Sequence, residues 1–211
     1  MGDPGAETAG NAGGPVSHAN VAIWLAETRG CRFAVHLFAL ALWEFGGAGG
    51  CGDGGEGARA MTSPTLIHAL VERCRAADYP AAVLRLRSGW VIMGECQVLT
   101  GYCLLLPDPV VPHLNALRAG LRGQFLSDMA LVGDALMTVT VATRINYALF
   151  GNVEPALHAH IFPRHASEPA ATRSVQPWAL DWTSAPAYSE ALHGDLKQRL
   201  AADIRGRLNE V

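Results

Sequence analysis

The sequence predicts an α+β domain: an antiparallel sheet with a long helix packed on one face and a C-terminal helical extension. Three observations carry this expectation. Short strand-like runs follow one another with tight turns between them. One long segment shows a helical apolar stripe. The elements run β-β-β-α-β-β, an order in which neighbouring strands pair antiparallel and helices gather on one face.

The elements follow in order. Ser63 is placed to cap a helix that has Pro64 at its first position and Leu66, Ile67, Leu70 and Val71 on its apolar side. Residues 81–87 and 90–95 read as two strands joined at Ser88-Gly89, a hairpin signal. Residues 101–106 read as a third strand, stopped by Pro107-Asp108-Pro109. From Leu117 to Val141, the residues Leu121, Phe125, Met129, Val132 and Leu136 fall three and four apart, which predicts one long amphipathic helix. Residues 144–150 form a strand, Gly151-Asn152 a turn, and residues 156–162 a last strand that Pro163 ends. Trp178 and Trp182 anchor a looser stretch, and a helix over 189–208 closes the chain. There is no internal repeat.

The first sixty residues differ from the rest. Residues 2–14 and 46–57 are dominated by glycine and offer little to bury against the entropy of ordering the backbone. Between them, 21–45 could hold one or two helices. Residues 1–60 read either as a flexible tail or as sequence upstream of a start at Met61, with the domain at 61–211, its core at about 81–165 and an extension at 166–211.

The bulk numbers exclude some classes. Of 211 residues, 50% are hydrophobic and 17% charged, and the net charge of −3 argues against a nucleic-acid binder with a basic surface. A pocket for one nucleotide needs only a few placed donors and stays open. Cys31, Cys51, Cys74, Cys96 and Cys103 form no CxxC pair, so buried free thiols are expected rather than a disulfide framework or zinc knuckle. No secretory signal is expected from the first twenty residues, and the apolar run 33–45, interrupted by His36 and Glu44, is too short to span a bilayer. The chain is expected to be soluble and cytoplasmic, without a membrane partner. No GxxxxGK[ST] phosphate loop occurs.

The chemistry concentrates in Arg144-Ile-Asn146-Tyr-Ala-Leu-Phe-Gly151-Asn152-Val-Glu-Pro-Ala156-Leu-His158-Ala-His160-Ile-Phe-Pro-Arg164-His165. On a strand, His158, His160 and Phe162 share one face, with the two imidazoles about 7 Å apart along the chain. From residue types alone, three readings stay open: surface histidines, a metal site completed by His113 or Asp181, or a catalytic pair.

Leu-His158-Ala-His160-Ile-Phe-Pro-Arg164, preceded by Asn146 and Gly151-Asn152, resembles the signature of the histidine-triad superfamily, His-φ-His-φ-His-φ-φ with φ apolar. The likeness is to the bacterial branch related to diadenosine polyphosphate hydrolases and covers about 81–165. The middle histidine falls on His158, the last on His160 and the first on Ala156, where the fullest form of the motif has histidine and several branches glutamine. Alanine cannot supply that side chain's hydrogen bond.

The resemblance implies a histidine-triad α+β fold, a homodimer, and a hydrolase or nucleotidyl transferase acting at the α-phosphate of a nucleotide, either a dinucleoside polyphosphate or a nucleoside phosphoramidate. His158 is then the nucleophile. Imidazole, with an ordinary pKa of about 6.5, suits that task near neutrality. His160 would steady the charge on phosphate oxygens as an imidazolium or through an N–H. Asn146 and Asn152 are the expected substrate-binding residues, and Trp90, Ile92, Leu104 and Leu106 the candidate apolar wall for base and ribose. No metal ligand set and no required cofactor are expected, though Mg2+ can accompany a polyphosphate. Arg164 could pair with a phosphate but is read, like His68, His113, His165 and His193, as a surface residue. The rival functional reading, favoured by Ala156, is a nucleotide-binding module with little or no turnover.

Overall fold

The computed structural model describes residues 64–209; the glycine-rich extension, the helices expected within 21–45, the Met61 start and the Ser63 cap lie outside them. Helix α1 (Leu66–Arg75) leads into strands β1 (Ala82–Arg85), β2 (Gly89–Met93) and β3 (Cys103–Pro107). Helix α2 (Ala119–Thr140), strands β4 (Arg144–Ala148) and β5 (Ala159–Arg164), a short α3 (Ala170–Arg173) and α4 (Glu190–Asn209) follow. The strands make one five-stranded antiparallel sheet in the spatial order β1-β2-β3-β5-β4. This is the expected α+β class.

Directly opposed residues of an antiparallel pair point to the same face. The register Ile92↔Leu104↔His160↔Ala148, with Trp90↔Leu106, Phe162↔Asn146 and Arg164↔Arg144, therefore defines one face of the sheet. The other face carries Val91, Met93, Cys103, Leu105, Ala159, Ile161 and Tyr147. Helix α2 packs there, close enough that a Cβ on Gly133 would lie 1.9 Å from the Tyr147 hydroxyl. Phe125, Val132 and Leu136 of the predicted stripe are buried, Met129 is partly buried, and Leu121 in the first turn is exposed. Buried Asp128 ties α2 to the β1–β2 turn by accepting from the Ser88 amide at 2.9 Å and the Ser88 hydroxyl at 2.6 Å. Helix α4 lies against α2, where Arg199 donates to the Val139 carbonyl at 2.9 Å.

Several boundaries move. The cap of α1 is Thr65, whose amide donates to His68 Nδ1 at 3.1 Å, so His68 is a half-buried capping residue rather than a free surface one. Strand β4 stops at Ala148, two residues short of the expected end. Strand β5 starts at Ala159 instead of Ala156 and runs through Pro163 to Arg164. Two local facts account for the shift. The Leu157 amide donates to the Val111 carbonyl at 2.7 Å, which holds the preceding residues to the loop after β3 and off the sheet. At the far end, β5 pairs with β3 only through residues 159–161, so Pro163 lies past that ladder and its missing N–H breaks none of its bonds.

Cys74 and Cys103 are buried free thiols, as expected. Cys96 is disulfide-bonded, which departs from the expectation of buried free thiols. No helix among the described residues is long and apolar enough to cross a membrane.

Candidate functional site

The approach to β5 positions the two histidines. Ala156 and Leu157 are buried, and the Leu157–Val111 bond fixes the chain as it enters the sheet. His158 is thereby held just ahead of the strand, on the face that carries His160. Its ring centroid lies 4.8 Å from that of His160, at an interplanar angle of 73°. The pair is deeply enclosed, with His158 1% and His160 0% exposed.

The tautomer of His158 follows from its partner. Nδ1 lies 2.8 Å from the Ala156 carbonyl oxygen, which can only accept. Nδ1 is therefore the protonated nitrogen and Nε2 carries the lone pair. Burial holds the His158 pKa below its ordinary value, against opposing pulls from the Ala156 carbonyl and the Glu154 carboxylate. The ring is held in its neutral form, with the lone pair on Nε2. Ala156 thus serves His158 through its main-chain carbonyl. Glu154 also accepts from the Leu66 amide at 3.2 Å, joining this loop to the start of α1.

His160 is held by aromatic neighbours. Its ring is stacked with Phe162 at 5.8 Å and meets the edge of Trp178 at 4.8 Å. Burial, and then the charge on His158, keep its pKa well below the ordinary imidazole value. The resting ring is therefore held in its neutral form, which offers one N–H donor. Its Nδ1 lies 2.6 Å from the Tyr102 hydroxyl, whose own pKa burial raises well above its usual value. When the phenol donates to Nδ1, the imidazole proton sits on Nε2. Glycine makes room for this arrangement: a Cβ on Gly94 would lie 2.3 Å from the Tyr102 ring, and Gly101 adopts a φ of 92° just before it. Tyr102→Phe is expected to lower stability by about 1–3 kcal/mol, as for a buried group that loses its partner. Chemical denaturation measures the effect.

Two cavities lie nearby; His158 lines the first, and the fully buried His160 lines neither. One, of about 290 Å³, is lined by His158 together with His113, Asn115, Phe150 and Leu157. The other, of about 320 Å³, is lined by Arg144, Asn146, Phe162, Arg164, Arg173 and Trp178 and also reaches Phe150. Phe150 and Trp178, edge to face at 5.4 Å, stand at the boundary between them.

The remaining candidates separate. Asn146 is half-buried beside Phe162, accepts from Arg164 Nη1 at 3.4 Å and lines the second cavity. Asn152 is exposed and lines neither cavity, although Gly151 lines the first. Ile92, Leu104 and Leu106 are core residues on the His160 face, and Trp90 donates its indole N–H to Asp108 at 3.1 Å. His113 is exposed, as expected, yet lines the cavity of His158. His165 is half-buried and within 3.2 Å of the Thr100 carbonyl, and His193 is buried against Tyr188, so neither is a free surface histidine.

Arg164 is not a surface residue. It is 8% exposed, pairs with Glu168 at 2.7 Å and donates to the Val175, Thr172 and Arg173 carbonyls at 2.8, 2.9 and 3.1 Å. It thereby anchors the segment that brings Trp178 onto His160. Asp181, a suggested third metal ligand, is bonded to Thr183 and Ser184, and no cluster of three His, Cys, Asp or Glu side chains among the described residues could hold a metal ion.

No family model and no curated protein matches this sequence. Solved structures do match. A histidine-triad protein from Marinobacter aquaeolei VT8 superposes with a TM-score of 0.54 and 19% identity, over 67% of this chain and 97% of that one. A histidine-triad protein from Bradyrhizobium japonicum gives a TM-score of 0.52 and 23% identity, over 62% and 94%. A hypothetical histidine-triad nucleotide-binding protein from Sulfolobus tokodaii strain 7 gives 0.51 and 13%, over 65% and 92%. An antiparallel α+β domain that presents paired histidines at the head of an inner strand is the class this chain defines. Its fold is the histidine-triad fold.

Proposed function

We propose that the chain cleaves nucleotides at the α-phosphate through a nucleotidyl intermediate on His158, with a dinucleoside polyphosphate as the leading substrate and a nucleoside phosphoramidate as the second. The observation that carries this reading is the Nδ1–Ala156 carbonyl bond, which places the ring proton on Nδ1 of a histidine that lines a cavity. The name of the Sulfolobus neighbour, a nucleotide-binding protein, agrees with it.

In the first step Nε2 bonds to the α-phosphorus while the bond from phosphorus to the leaving group breaks, and the leaving group departs with the electron pair. The ring then bears positive charge, and the Nδ1–H bond to the carbonyl becomes charge-assisted. His160 Nε2–H steadies a nonbridging oxygen. Asn146 is the second proposed substrate contact; Asn152, from its exposed turn, would have to move to become a third. Water then attacks phosphorus, the P–N bond breaks, and nucleoside monophosphate and neutral His158 are released. Magnesium enters only as the companion of a polyphosphate. A homodimer is proposed as well: β4 is an open sheet edge, with Tyr147 and Val141 exposed near it.

The rival reading is a nucleotide-binding module without turnover, favoured by the side chain missing at Ala156 and the enclosure of both rings. One experiment separates them. The chain is incubated with diadenosine tetraphosphate, quenched in alkali and digested for mass spectrometry. An adenylyl group on His158 is the expected result. Nucleotide-dependent thermal stabilisation with no adduct and no turnover would favour the binding module.

A further inference from the structure

We infer that the 320 Å³ cavity beside β4 is a binding subsite for a polyphosphate chain and its distal nucleoside, the part of a substrate that lies beyond the scissile phosphate. This rests on the hydrolase reading for its role, though not for its binding chemistry.

The charge on its walls is positive and uncompensated. Arg144 is exposed and makes no side-chain hydrogen bond or ion pair among the described residues. Arg173 donates to the Ala166 and Glu168 main-chain carbonyls at 3.0 and 2.9 Å, so no carboxylate cancels its charge. The third arginine, Arg164, is neutralised by Glu168, and no aspartate or glutamate lines the cavity. Two guanidinium groups facing one space match phosphate oxygens, which they can engage through paired N–H donors.

The remaining walls suit an aromatic ring. Phe150 and Trp178 add aromatic surface, and the Asn146 and Gln176 amides offer donors and acceptors. A single small anion would use the arginines and leave the aromatic surface idle; a phosphorylated nucleoside uses both.

Position links this cavity to the reacting centre. Arg144 opposes Arg164, and Ala148 opposes His160. Four residues of β4 separate the two levels, about 13 Å at ~3.3 Å per residue. That reach calls for a chain of several phosphates rather than one. Phe150 lines both cavities, so the subsite adjoins the cavity of His158.

The test has two arms. In the first, inorganic tripolyphosphate is titrated calorimetrically into the full chain and into Arg144→Glu and Arg144→Lys. Wild type is expected to bind, Arg144→Glu to bind at least roughly tenfold more weakly, as for a lost charge-assisted contact, and Arg144→Lys to fall between. Equal affinity in wild type and Arg144→Glu, or no binding by wild type, overturns the subsite. In the second arm, the kcat/KM ratio of diadenosine tetraphosphate to adenosine phosphoramidate is compared between wild type and Arg144→Ala. A fall in the ratio supports the subsite, and an unchanged ratio overturns it. The two readings can fail separately. Loss of tripolyphosphate binding in Arg144→Glu without any His158 adduct keeps the subsite and sinks the hydrolase; an adduct with charge-insensitive binding does the reverse.

Discussion

His158→Ala is expected to lower turnover of a nucleotide substrate by on the order of 10⁴-fold or more and to abolish the nucleotidyl adduct, because a covalent route loses its nucleophile and only binding and charge stabilisation remain. Steady-state kinetics with circular dichroism of the same sample distinguish this from misfolding. Retention of full rate in a folded variant would sink the mechanism. The pH profile gives a second handle. Burial holds His158 below its ordinary pKa, so the base is already in its reactive form at neutrality. The acid limb of kcat/KM should therefore lie below the usual imidazole value, with a flat profile through neutral pH.

The same burial makes stability sensitive to acid. His158 and His160 both have folded pKa values below their unfolded ones. As pH falls through about 6.5, the unfolded chain takes up protons that the folded chain refuses, so stability is present above that value and lost below it. The slope is up to about 1.4 kcal/mol per pH unit for each histidine. Replacing His160 with phenylalanine, which fits a ring already stacked with Phe162, removes one of the two contributions.

The fold was legible because it rests on local signals. The strand periods, the Ser88-Gly89 hairpin and the helical stripe ending at Leu136 are all written within short windows, and each produced an element. What was hidden depends on contacts remote in sequence. The start of β5 shifted because Leu157 bonds to Val111, and no pattern near residue 156 signals that bond. Tyr102, the hydroxyl partner of His160, lies 58 residues before it and reads simply as part of a strand entry. Trp178 was visible as an anchor but not as a neighbour of His160. The two histidines could be placed on one face because alternation along an extended chain requires it, even though His158 stands outside the strand proper. Arg164 was misplaced because arginine is seldom buried without a partner, and the one signal, Glu168 four residues later, is a common surface pattern.

That buried pair supports the second large effect. Arg164→Ala is expected to destabilise the protein by about 3–5 kcal/mol, a large part of a typical domain's stability. The loss of attraction is the smaller part of the reason. Removing the guanidinium leaves the Glu168 carboxylate, 8% exposed at its side chain, without its counter-charge, and strips donors from the Thr172, Arg173 and Val175 carbonyls. Burial alone would push the Glu168 pKa up. The Arg164 hydrogen bonds and the His165 amide outweigh it and hold the carboxyl below its usual value. A depressed carboxylate stabilises above the unfolded pKa of about 4.3 and loses that contribution as pH falls through the folded value, so acid should partly mimic the mutation. Chemical denaturation of Arg164→Ala, read by tryptophan fluorescence, should show both the lost stability and a Trp178 no longer held against His160. Arg164→Met with Glu168→Met should recover part of the loss, because removing both charges leaves neither one stranded. A double variant as unstable as Arg164→Ala would place the effect in the carbonyl contacts instead of the ion pair.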